Sequence, residues 1–95
     1  RGAISDYTKA IELDPKYADA YCTRGLANAN LQDYTGAISD FNKAIELDPK
    51  HAYAYYNRGL SKIRLGQKDS GCLDFSKAGE LGLDRAYDMI RKYCN

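Results

Sequence analysis

The stretch DYTGAISDFNKAIELDPKHAYAYYNRG, Asp33–Gly59, decides the fold, because most of it occurs more than once in the chain. Displaced so that Gly2 falls on Gly36, GAISDYTKAIELDPKYADAYCTRGL (Gly2–Leu26) lies on GAISDFNKAIELDPKHAYAYYNRGL (Gly36–Leu60). Of the 26 pairs counted from Arg1 and Thr35, 19 are identical. The same displacement sets Ala18–Leu47 on Ala52–Leu81, with 13 of 30 identical. A fixed period of this length marks a stacked-repeat architecture, in which each unit buries its apolar face only against its neighbours.

The apolar spacing inside each period is helical. Across Gly2–Asp14 it runs through Ile4, Tyr7, Ala10, Ile11 and Leu13. Asp14-Pro15 and Asp48-Pro49 close one helix and open the next, with Asp as the cap and Pro in the first turn, where a missing N–H costs nothing. The next helix spans 17–31, with Tyr21, Gly25 and Leu31 turned inward, and further helices follow over about 34–47, 52–65 and 68–81. Gly25 and Gly59 recur in helix interiors, where Gly costs about 1 kcal/mol relative to Ala, so both imply close helix–helix approach. The third copy departs from the pattern: Tyr34 gives way to Lys68, Ala37 to Gly71, Ile45 to Gly79, and Asp48-Pro49 to Gly82-Leu83. Gly82 suits a left-handed C-cap and Asp84 an N-cap. A last helix over 85–94, with Ala86, Met89, Ile90 and Tyr93 as its apolar face, then covers the end of the stack.

The order Ala-Tyr-x-x-Arg-Gly-Leu, then Leu31, Tyr34, Ala37, Phe41, Ala44 and Asp48-Pro49, resembles the tetratricopeptide repeat, and the resemblance covers essentially the whole chain. It implies an all-α, right-handed superhelical solenoid of antiparallel helix pairs, with two and a half units, each of roughly 34 residues, and a C-terminal capping helix. Residues 1–17 would be the second helix of a truncated repeat, 18–51 a full repeat, 52–83 a degenerate one and 84–95 the cap. It also implies a non-catalytic protein–protein interaction module or scaffold. The first helix of each pair would line a concave groove for a peptide or a helix of a partner. Carried onto this chain, the groove residues are Asp19, Cys22, Thr23, Leu26 and Asn30, then Tyr53, Tyr56, Asn57, Leu60 and Arg64, with Lys16, Tyr17, Lys50 and His51 at the rim.

Helical geometry agrees, since 53, 56/57, 60 and 64 share one face while Tyr55, Gly59 and Lys62 share the opposite one. Between the two main copies the core pairs match (Ala20/Ala54, Tyr21/Tyr55, Gly25/Gly59), and most groove pairs differ. Tyr17, Tyr53 and Tyr56 offer flat amphipathic contact area. Lys16, Lys50 and Arg64 outweigh Asp19, which suits a peptide of acidic character. Some members of the resembled family clamp a chaperone's C-terminal carboxylate with Lys and Asn on these helices. Here Cys22 and Leu26 stand at those places, which argues against such a clamp and leaves only Asn57 and Arg64 for similar parts.

Composition excludes other classes. A net charge of +1 gives no bulk electrostatic case for nucleic acid, and no apolar run approaches the roughly 20 residues that span a bilayer. No metalloprotease, phosphate-loop or nucleophile-elbow motif is present, and the cysteines lack metal-ligand spacing. No cofactor or metal is expected. The carboxylate pairs Glu12/Asp14 and Glu46/Asp48 recur with the repeat and so read as helix ends, and His51 reads as solvated or rim-lying. The chain begins inside a repeat, as expected of a piece of a longer protein. The uncovered face of its first helix is expected to pair with another copy, by end-to-end stacking or swapping. The alternative function is a structural spacer or self-assembly segment acting through its repeat ends.

Two further expectations follow. Asp6, Asp40 and Asp74 recur at one repeat length, as do Arg24 and Arg58, so a ladder of inter-helix ion pairs is expected, worth about 0–1 kcal/mol per exposed pair. If the last two helices form a hairpin turning near Gly82-Leu83, Cys72 and Cys94 fall at the same end of it. A disulfide there implies an oxidising compartment such as a periplasm or cell exterior. The other reading is a pair of buried thiols in a reducing cytosol, and the unpaired Cys22 weighs against a strongly oxidising setting.

Overall fold

A computed structural model of the chain describes residues 2–94, with side chains from Ile4 onward; Arg1 and Asn95 lie outside the described residues. It holds six helices, α1 (Gly2–Leu13), α2 (Ala18–Asn30), α3 (Tyr34–Leu47), α4 (Ala52–Arg64), α5 (Lys68–Glu80) and α6 (Arg85–Tyr93), and no strand among the described residues. Each helix packs on the next, and turns of a few residues force antiparallel neighbours. The result is an all-α solenoid of 41 × 25 × 17 Å. No described helix is long and apolar enough to cross a membrane.

The turns are of two kinds. After α2 and α4 the chain passes through a left-handed residue, Gln32 (φ 66°) and its repeat equivalent Gly66 (φ 80°). Asp33 then caps α3 by accepting from the Gly36 N–H at 3.0 Å. After α1 and α3 the Asp-Pro pairs do not cap the following helix as expected. Asp14 and Asp48 instead accept from the N–H of Lys16 and Lys50, each at 3.1 Å, folding the side chain over a turn that contains the proline. The helix starts three residues after each proline, and α4 is capped by His51, whose Nδ1 accepts from the Ala54 N–H at 3.2 Å. Asp84 likewise makes no side-chain cap; its own backbone is already helical.

The core is a row of small residues around two phenylalanines. Phe41 is fully buried with Ala37, Ala44, Ala54 and Cys22, and Phe75 with Ala78 and Ala86. Gly25 and Gly59 set how closely the helices cross. A Cβ on Gly25 would stand 2.7 Å from the Phe41 ring, and one on Gly59 would stand 2.9 Å from the Gly71 carbonyl oxygen. The inward assignment of Leu31 is corrected, and Leu13 does not join the buried face of α1. Leu13 is 82% exposed and Leu31 60% exposed. Leu13 lies two residues past the buried Ile11, about 200° round the helix, and Leu31 lies six past Gly25, about 240° round, so both point away from the core.

The Arg–Asp ladder is present and less exposed than expected. Arg24 meets Asp40 with two bonds (Nε 2.9 Å, Nη2 2.6 Å), and Arg58 meets Asp74 likewise (2.8 and 2.7 Å). The carboxylate side chains are only 8% and 6% exposed. Each takes one more donor, the Asn28 amide or the Lys62 ammonium, at 3.0 Å. Each guanidinium also lies over a tyrosine three residues earlier (Tyr21, Tyr55) and donates to a side chain on the preceding helix (Thr8, Asn42). Hydrogen bonding to Asp40 and Asp74 holds both arginine pKa values above the ordinary one. These pairs belong with buried, bidentate ones, where loss of one partner costs several kcal/mol.

The third repeat departs from the others for a reason visible in packing. Where α3 has Ile45, α5 has Gly79, and the ring of Tyr87 from α6 fills the space a side chain would need. Cys72 on α5 is bonded to Cys94 at the end of α6, with Cα atoms 5.9 Å apart. This bond and the apolar face of α6 hold the last helix across Phe75.

Candidate functional site

Helices α2 and α4 are neighbours, and two adjoining hollows lie over them. One, of about 320 Å³, is lined by Asp19, Cys22, Thr23, Leu26, His51, Tyr53 and Asn57. The other, of about 190 Å³, is lined by Leu26, Ala29, Asn30, Tyr34, Asn57, Leu60, Ser61 and Arg64. Leu26 and Asn57 border both, so the hollows form one trough.

Ten of the fourteen residues named from the sequence are brought together there. Lys16, Tyr17 and Lys50 are exposed in the turns, outside either hollow. Tyr56 is also outside. Its half-buried ring tilts against Phe75 (centroids 5.9 Å apart), beside the hollows rather than in them. Cys22 is buried as well, at 7% exposure, and contributes floor.

His51 lines the first hollow and is not solvated. Its side chain is only 11% exposed, and both ring nitrogens are engaged: Nδ1 on the Ala54 N–H, Nε2 on Asp19 Oδ1 at 2.7 Å. Nδ1 is therefore the acceptor and Nε2 the N–H donor. Asp19, His51 and Cys22 share one hollow, a set that elsewhere serves nucleophilic catalysis. Here neither imidazole nitrogen is left to take the thiol proton. Burial, aided by the Asp19 charge, pushes the Cys22 thiol up to about 11, away from the range of an activated cysteine. The trio is structural.

The sequence reading missed Arg85, at the start of α6. Its guanidinium stands over the rings of Tyr53 (5.4 Å) and Tyr56 (5.5 Å), and Nη2 donates to the Tyr53 hydroxyl at 3.5 Å. The signal was in the period. Arg85 lies one full period after His51, and its link to Tyr53 spans the same 32 residues as the link from His51 to Asp19. Each of these rungs ties the start of one helix to the groove residue of the preceding repeat. The trough thus has an arginine toward each end, Arg64 and Arg85, and its one lining carboxylate, Asp19, is already engaged by His51.

Comparison with known proteins agrees with this geometry. Tetratricopeptide-repeat family profiles match residues 18–51 and 41–72, and a TPR-repeat profile matches residues 1–32. The serine/threonine-protein phosphatase T of Aspergillus oryzae is 56% identical over 32 residues, which is 34% of this chain and 7% of that protein's length. Among solved structures, the first TPR of Spaghetti (RPAP3) bound to an HSP90 peptide is 28% identical, with a TM-score of 0.92 over 96% of this chain and 74% of that one. The second TPR domain of human RPAP3, in complex with an HSP70 peptide, is 29% identical, with a TM-score of 0.89 over 97% and 78%. The Arabidopsis OM64 TPR domain is 31% identical, with a TM-score of 0.86 over 94% and 78%. With its period, its helix pairs and these likenesses together, the chain belongs to the tetratricopeptide-repeat family.

Proposed function

We propose that the chain is a protein-interaction module whose α2–α4 trough holds an extended, acidic peptide segment of a partner, by docking and without chemistry. The observation that carries this reading is the continuous trough with an arginine toward each end and a single lining carboxylate, Asp19, one oxygen of which is bonded to His51. Tyr53, half exposed and braced by Arg85, offers a flat amphipathic anchor. Tyr53 and Arg64 are eleven residues apart on α4, about 16 Å at 1.5 Å per residue. About five residues of extended chain cover that distance. Similar TPR domains bound to HSP90 and HSP70 peptides support a peptide as the ligand class. Cys22 and Leu26, on the floor and between the hollows, supply no charge for clamping a terminal carboxylate, so side-chain carboxylates are the better fit.

A fluorescence-polarisation screen of acidic and matched amide hexapeptides tests this. Acidic peptides should bind preferentially, and both Arg85→Glu and Tyr53→Ala should weaken them at least about tenfold, the order expected for an interface hot spot. Binding indifferent to peptide charge and to both substitutions would overturn the reading.

A further inference from the structure

One end of the trough stands on a helix with little besides a disulfide to hold it. Helix α6 has nine residues, and a helix of that length is marginal unless it is packed. Ala86 is its one buried residue; Met89, Ile90 and Tyr93 are half-buried, and Arg85, Tyr87 and Asp88 are exposed. Asp84 gives it no side-chain cap. It packs chiefly on α5, and Arg85 ties its start to α4 by standing over Tyr53 and Tyr56. The Cys72–Cys94 bond pins the opposite end, nine residues and about 14 Å along the helix axis from Arg85. The matching rung, from His51 to Asp19, has no such dependence. It stands on α4, which is packed between α3 and α5 and contains no cysteine.

We propose that the Cys72–Cys94 bond regulates the trough. Closed, it holds Arg85 over Tyr53, and the trough takes an acidic peptide. Opened by a dithiol reductant, it lets α6 leave α5, and the Arg85 end of the trough is lost. This regulation rests on the acidic-peptide reading given above. In the opening step one thiolate of the reductant attacks a sulfur of the Cys72–Cys94 bond, and its second thiolate resolves the mixed disulfide. Two electrons and two protons pass to Cys72 and Cys94, and the reductant leaves with its own two sulfurs bonded. Both cysteines are half-buried, within reach of a small dithiol, whereas Cys22 is buried and unbonded and takes no part.

The test uses the whole chain, oxidised and then treated with dithiothreitol. The Arg85 Nε–H and Tyr53 ring signals are followed by magnetic resonance, and binding by fluorescence polarisation of an acetylated, amidated hexapeptide of alternating Asp and Glu. Reduction should move the Arg85 and Tyr53 signals toward those of exposed side chains while the amide signals of α2 and α3 stay in place. It should weaken the peptide at least about threefold, the share that an exposed cation–ring contact carries. Cys94→Ser should bind as the reduced chain does and ignore the reductant. Arg85→Gln should already bind at the reduced chain's affinity, and reduction should weaken it no further. Arg85 and Tyr53 signals unmoved by reduction overturn the proposal, whether or not any peptide binds. So does a peptide affinity that reduction leaves unchanged, and so does collapse of the α2 and α3 signals, which would make the bond a staple of the whole fold. Signals that move as expected in a chain that takes no acidic peptide even when oxidised would instead sink the trough reading, and the regulation with it.

Discussion

Gly59→Ala sets two effects of opposite sign against each other. Alanine in a helix interior is favoured over glycine by about 1 kcal/mol, so on propensity alone the substitution stabilises. The added Cβ would stand 2.9 Å from the Gly71 carbonyl oxygen and 3.0 Å from two atoms of the Phe75 ring. The first obstacle is backbone in the neighbouring helix, and the second is a fully buried ring. Relief requires α4 and α5 to separate by about 0.5 Å to reach an ordinary contact distance, in a core packed like a crystal. Overpacking of this kind costs about 1–3 kcal/mol, and two rigid obstacles put it at the upper end. Net destabilisation should be about 2 kcal/mol, which lowers the Tm of a domain this size by roughly 8–16 °C. Thermal melts of Gly59→Ala and Gly71→Ala, singly and together, measure it. The pair should be sub-additive by at least about 0.5 kcal/mol, because helices already parted accept the second methyl more cheaply. A Gly59→Ala Tm equal to or above that of the parent would refute the close-approach reading.

Asp74→Asn leaves Arg58 and Lys62 without their carboxylate and should cost about 2–4 kcal/mol by urea denaturation; replacing both members, Arg58→Met with Asp74→Leu, should recover much of it. Gln32→Gly relieves a left-handed residue that the next repeat already fills with Gly66, and should raise stability by about 0.5–1 kcal/mol in the same assay. For Cys22 the folded pKa, about 11, exceeds the unfolded value of 9.0, so the unfolded chain loses its proton first. The stability linked to this thiol is complete below pH 9 and lost as pH rises toward 11. At pH 8 alkylation of the folded thiol should be roughly a hundredfold slower than that of the unfolded chain. Reducing the Cys72–Cys94 bond, which closes a loop over a separation of 22 residues, should cost about 3 kcal/mol; equal denaturation midpoints with and without reductant would show that no bond had formed.

The fold was legible because the period is nearly self-identical and most apolar positions are answered one period on. The Arg24–Asp40 and Arg58–Asp74 pairs were legible for the same reason, but their depth was not, since burial depends on how closely Gly25 and Gly59 let the helices approach. Leu13 and Leu31 misled because helical spacing was extended to the ends of the helices without checking the angle. Asp14-Pro15 misled because an Asp-Pro pair serves equally well as a cap and as a side-chain-closed turn. Arg85 was missed for want of a residue-by-residue shift from His51, and its stacking on Tyr53 depends on how α6 docks, which local pattern does not encode. Tyr87 filling the space at Gly79 is a change on one helix answered on another, and single-sequence periodicity registers only its first half.

The two ends of the stack are fastened differently, which gives the molecule a direction under load. Among the described residues α1 is held by packing against α2, whereas a covalent bond ties α6 to α5. A chain pulled by its termini should therefore lose its helices in order from α1, each departure uncovering the next. The stretch between Cys72 and Cys94 never lengthens while the bond holds. At about 3.4 Å per residue, its separation of 22 residues withholds roughly 75 Å of extension, so the missing length in a stretching trace reports the redox state of the final hairpin.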